Sequence, residues 1–73
     1  MSLATVPDNC AVRITAVRPG PLACRLMELG LIEGARVRVL GRAPLGDPLR
    51  VRVGDYDLSL RRQDARLIDV CAA

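Results

Sequence analysis

The sequence predicts an all-β domain, a small barrel of about five short strands with one short α-helix after the first strand. Three observations carry this. Several short stretches alternate apolar with polar residues, as half-buried strands do; proline and glycine break the chain at close intervals; and one segment alone spaces its leucines as a helix does.

The first strand runs from Cys10 to Val17, with Cys10, Val12, Ile14 and Ala16 on one face and Arg13 and Thr15 on the other. It stops near Arg18, because Pro19 and Pro21 offer no backbone donor and Gly20 lies between them. Pro21 suits the first position of a helix, and Leu22, Leu26 and Leu29 follow on one face, so a helix is expected from about Leu22 to Leu29. Gly30 stands where the helix needs a left-handed residue, with Leu31 folding back over the last turn.

After a turn at Glu33 and Gly34, Val37 and Val39 alternate with Arg36 and Arg38, and later Leu49, Val51 and Val53 alternate with Arg50 and Arg52. The connection from Gly41 to Pro48 is long for a hairpin and is expected to project. Gly54 to Asp57 is a tighter turn into Leu58, Ser59 and Leu60. Arg61 to Arg66 can form a single helical turn at most, and Leu67, Ile68 and Val70 read as the last strand. Strands this short leave unpaired edges unless the sheet closes, which favours an SH3-like barrel over an OB-type barrel with its longer strands.

The chain has 73 residues and no internal repeat or linker, so residues 1–73 are expected to form a single domain. A core of this size supplies only about 3–5 kcal/mol. Phe and Trp are absent and Tyr56 is the single aromatic, so the interior must be aliphatic.

Composition removes several functions. No histidine and no lysine is present, which excludes Cys-His and Ser-His pairs, the commonest zinc ligand set and a phosphate-loop lysine. No catalytic residue, cofactor site or metal site is assigned, and the chain is not expected to be an enzyme. Cys10, Cys24 and Cys71 lack C-x-x-C spacing and are read as free thiols of a reducing compartment. Asp55 and Asp57 flank a turn, but two carboxylates are too few for an oxygen cage. No apolar run reaches the roughly 18–20 residues that span a bilayer, and the N-terminus has no basic and apolar leader pattern, so the expectation is a cytoplasmic protein.

Two candidate interaction surfaces remain. If the strands around Val37 and Val51 pair antiparallel, Arg36, Arg38, Arg50 and Arg52 share an outward face, which calls for intervening carboxylates or an anionic partner unless it is a solubility surface. Met27, beside the buried stripe of the helix, and Leu45, in the projecting loop, form a second candidate, with capping of a small core as the plainer reading. Arg25 and Glu28 are expected to make an outward pair on the helix.

The segment Arg25-Leu26-Met27-Glu28-Leu29-Gly30-Leu31-Ile32-Glu33-Gly34 resembles the signature of the FeoA family, a short helix reading R-L-x-E-L-G-L followed by x-x-G and a strand. Ala43 to Pro48, the strand Leu49 to Val53, and Leu58-Ser59-Leu60-Arg61 leading to Ala65 and Ile68 agree in order and spacing, so the resemblance covers about Val6 to Val70. Asn9 departs from the family's usual glycine, though Asn also tolerates positive φ. The resemblance implies an SH3-like barrel and an accessory role in bacterial ferrous iron uptake, exerted on the FeoB transporter through its cytoplasmic GTP-binding part. It implies contact with the membrane only through that partner, and leaves self-association open. The alternatives are a small basic barrel that binds nucleic acid, which wants more aromatic platforms than Tyr56, and a domain related to that of metal-dependent repressors. The start at Met1 and the lack of a DNA-binding helix pair weigh against the latter.

Overall fold

A computed structural model describes residues 1–73. Its strands are β1 (Cys10–Val17), β2 (Arg36–Arg42), β3 (Leu49–Val53), β4 (Tyr56–Leu60) and β5 (Ile68–Ala72), with helices α1 (Ala23–Glu28) and α2 (Arg62–Ala65) and a 3₁₀ turn at Leu3–Thr5. All pairings are antiparallel in the order β4-β3-β2-β1-β5, a five-stranded SH3-like sheet wrapped around one core. β4 and β5 are its two edges.

The core contains 15 buried residues, all of them Leu, Val, Ile or Ala. Alternation puts Val12 and Ile14 of β1, Val37 and Val39 of β2, and Leu49, Val51 and Val53 of β3 inside, while the intervening arginines face out. Two irregularities change this phase. Register shifts between Ile14 and Ala16 on β1 and between Val39 and Gly41 on β2, so each strand carries an extra residue and bends. Hence Ala16, expected inside, is exposed, and β2 continues past Val39 to Arg42.

The helix ends where expected, and its hydrogen bonds show why. Leu31 N–H donates to the Leu26 carbonyl (3.1 Å) and Gly30 N–H to that of Met27 (3.0 Å), the paired bonds of a Schellman motif. Gly30 takes φ +94°, and Leu31 is fully buried. Its start differs. Pro21 lies in a turn in which Ala23 N–H donates to the Gly20 carbonyl, and the first helical residue is Ala23. Leu26 alone of α1 is fully buried, Leu29 is half-buried, and Leu22 is 36% exposed because it precedes the helix. Asn9 adopts φ +62°, the conformation that its place before β1 demands.

The N-terminal segment contributes more than its sequence suggests. Leu3 and Val6 are fully buried, and Ser2 bridges Asp69 while Val70 N–H donates to the Met1 carbonyl (2.8 Å), so the segment covers the outer edge of β5. Arg42 holds it down, donating to Asp8 (2.5 Å) and to the carbonyls of Ala4 (3.1 Å) and Val6 (2.6 Å).

Gly30 generates a stability prediction. A Cβ there would lie 3.2 Å from the Tyr56 hydroxyl and 3.3 Å from Val53 Cγ1, on a backbone that side chains rarely adopt. Gly30→Val is expected to cost on the order of 1–3 kcal/mol and to lower the melting temperature by at least about 5 °C in a thermal scan. Gly20→Ala, where nothing lies within 4 Å, should change it little.

Candidate functional site

The sheet's outer surface gathers the predicted arginines. Arg38 lies opposite Arg52, Arg36 and Arg38 alternate with buried valines on β2, and Arg50 and Arg52 do so on β3. Arg13 of β1, which sequence reasoning left out of the row, lies opposite Arg36 and makes a fifth. Arginines directly opposed in a sheet repel, so two such pairs are a local cost.

One carboxylate pairs with this row. Asp57 accepts from Arg52 Nε (2.7 Å) and Nη2 (3.3 Å) and stands 4.0 Å from Arg50. It belongs to β4, not to the turn, which consists of Gly54 and Asp55 and is two residues shorter than the expected turn from Gly54 to Asp57. The hydrogen bond from Arg52 holds the Asp57 carboxyl below the ordinary carboxylate range, against a smaller upward push from desolvation, and raises the already high pKa of Arg52. Arg13 and Arg38 reach only backbone oxygens, of Gly34 and Asn9, and Arg36 makes no ion pair.

Met27 and Leu45 are both exposed, at 52% and 95%, Met27 on α1 and Leu45 at the tip of the β2–β3 loop. That loop projects but is anchored, since Gly46 N–H donates to the Ala43 carbonyl (2.7 Å) and Asp47 accepts from the Arg62 N–H (2.9 Å) at the start of α2. Between α1 and the loop runs a cleft that the sequence did not disclose. One part, about 290 Å³, lies among Leu22, Arg25 and Leu29 on the α1 side and Ser59, Leu60 and Arg61 on the other. The adjoining part, about 270 Å³, shares Ser59 and Arg61 and reaches Asp47 and Pro48. Neither Met27 nor Leu45 lines it. Arg25 points to this cleft and makes no ion pair with Glu28, contrary to the expected helix pair. The Tyr56 hydroxyl donates to the Leu29 carbonyl and ties the end of α1 to the start of β4.

The three thiols lie apart in the fold, Cys10 half-buried at the start of β1, Cys24 exposed on α1 and Cys71 exposed on β5. No three Cys, Asp or Glu side chains are grouped so as to hold a metal ion. No helix is long and apolar enough to cross a membrane.

The FeoA domain matches residues 1–71. The chain belongs to the FeoA family. It is 40% identical over 60 residues to the Fe(2+) transport protein A/Fe(2+) transporter FeoB fusion protein of Porphyromonas gingivalis, covering 82% of this chain and 7% of that relative's length. Among solved structures, FeoA of Stenotrophomonas maltophilia, crystallised with zinc and described as an SH3 domain protein, is 32% identical. It superposes with a TM-score of 0.86 over 97% of this chain and 89% of that one. A manganese-dependent transcriptional repressor contains the same fold at 17% identity, with a TM-score of 0.89 over 100% of this chain and 41% of that one, a likeness of architecture alone. The Leu26 to Leu31 turn that carries the FeoA signature is thus the Schellman motif that directs the chain from α1 toward β2.

The Asp57 pair can be tested by titration. Because its folded pKa is depressed, the pair's contribution to stability is complete above the ordinary carboxylate pKa and is lost as pH falls through the lowered value. Following the Asp57 carboxyl by NMR should give a midpoint below that of a free aspartate, and Arg52→Gln should move it upward. An unchanged midpoint in that variant would show that the hydrogen bond does not set it.

Proposed function

We propose that this domain is a cytoplasmic accessory component of bacterial ferrous iron uptake, acting by contact with an FeoB-type transporter and its GTP-binding part. The fusion relative carries the reading, because one chain there joins the two named components. Linking two modules makes their encounter intramolecular at an effective concentration of about millimolar, which favours contact between them. Action by binding rather than catalysis agrees with a chain that has no histidine or lysine.

The contact has two candidate surfaces, Met27 with Leu45 and, as the alternative, the arginine row Arg36, Arg38, Arg50 and Arg52. The exposed Met27 and Leu45 side chains are apolar anchors, whereas the arginines would supply orientation and rate of encounter. In calorimetric titration against the transporter's cytoplasmic GTP-binding part, Leu45→Asp or Met27→Asp should weaken binding about tenfold or more with the fold intact by circular dichroism. Arg50→Glu combined with Arg52→Glu should weaken it in a manner that fades as salt rises. Parent-like binding by all three variants would discard both surfaces, and absence of binding by the parent would discard the partner.

The five-arginine face also favours a second reading, nucleic-acid binding. Against it, the one aromatic residue, Tyr56, has its hydroxyl bonded to α1 at the edge of the sheet, which leaves no stacking platform among the arginines. Steep salt-dependent retention on immobilised nucleic acid would reverse this preference.

A further inference from the structure

We propose that the free edge of β4 takes up an extended segment of a partner protein as an added strand, and that this segment alternates apolar residues with carboxylates. The two edges of the sheet are treated differently. β5 is covered by Met1 and Ser2, whereas β4 pairs with β3 alone. In the hairpin closed by Gly54 and Asp55, Tyr56, Leu58 and Leu60 oppose Val53, Val51 and Leu49 at the hydrogen-bonded positions, which turns the N–H and C=O groups of Asp57 and Ser59 outward. No turn, loop, cap or side-chain hydrogen bond involves these backbone groups.

The usual protections of an edge strand are missing. β4 contains no proline and no bulge, nothing pairs on its outer side, and its one charged side chain, Asp57, is occupied by Arg52. Alongside the edge lies the cleft, so an added strand would find backbone partners and a recess together. Side chains of such a strand alternate between two faces. One set would enter the cleft beside Leu22 and Leu29; the other would lie next to Asp57 and Ser59, within reach of Arg50 and Arg52.

Charge selects the occupant. At the cleft Arg25 and Arg61 are balanced by Asp47 and Asp64, but on the outer face Arg50 and Arg52 share the single carboxylate of Asp57 and leave an excess of positive charge. Carboxylates on the incoming segment would offset this excess. A second copy of the chain pairing through its own β4 would instead extend the arginine face across two molecules, which like-charge repulsion opposes.

The proposal rests on the protein-binding reading above but does not require that the partner be the transporter. Its test uses the whole chain and a synthetic peptide of about nine residues alternating leucine or valine with glutamate, long enough to span β4. Two controls accompany it, the same composition arranged in blocks and the alternating peptide with lysine for glutamate. Measured by NMR, the alternating glutamate peptide at saturation should slow amide exchange at Asp57 and Ser59 by about tenfold or more, with little change at Tyr56, Leu58 and Leu60. Ser59→Pro removes one outward donor without touching the ladder to β3, and should weaken the peptide about tenfold. Arg50→Glu together with Arg52→Glu should invert the preference between the glutamate and lysine peptides.

Failure of the alternating peptide to bind, equal binding of the block peptide, or shifts confined to Arg13, Arg36 and Arg38 would overturn the proposal. So would a dimer that protects Asp57 and Ser59 without peptide, since the edge would then belong to a second copy. If Ser59→Pro does not fold, the exchange pattern of the unaltered chain decides alone. Peptide binding without transporter binding would sink the proposed function and leave the edge site standing, and the reverse result would do the opposite.

Discussion

An interior with no aromatic side chain makes strand parity the constraint on which this domain depends. Fifteen aliphatic residues exclude water only if every strand turns the same set inward, since a slip of one residue would place arginines in the core. The two bulges are where parity is altered without slippage. Each bends its strand while the residues before it stay in register, and the sheet curves around Leu31, Ile14 and Ile68. Leu31 is held there by the backbone turn at Gly30 and not by its side chain alone.

Much of this was written locally. Alternation in Val37 to Val39 and Leu49 to Val53 located two strands because each has one wet face, and Gly30 located the helix end because few other residues accept its backbone angle. Ala16 was misplaced because a bulge breaks alternation without any compositional mark. Leu22 was misplaced because helical spacing does not say where the first turn closes, which is set by the bond between Ala23 and Gly20. Leu3 and Val6 carry a spacing of three that suits a buried turn, yet a segment so short gives no sign that it will cover a distant strand.

The candidate site was less readable for a related reason. The arginine row follows from alternation plus an assumed pairing, and it was foreseen apart from Arg13, whose place depends on β1 joining the other side of β2. Asp57 falls inside the expected turn, which is two residues longer than the real one, so its pairing with Arg50 and Arg52 is not visible in the sequence. The cleft joins residues about forty positions apart, from Leu22 to Arg61, and no periodicity encodes a space between elements. Its nearest sequence signal is the surplus of leucine at α1, where Leu22 and Leu29 are more than the core can absorb.

The absence of lysine has a consequence for the arginine face. Every positive group on it is a guanidinium, which keeps its proton at any pH at which a protein folds. It also has no amine to lose charge by acylation, so its cations form a fixed array. Across the neutral range the face therefore has constant polarity, and acidification can only make it more positive, through Asp57. Dissolved ions weaken its reach without altering its sign. Whatever meets this surface across the neutral range encounters a charge of fixed sign, with no side chain titrating there to switch it.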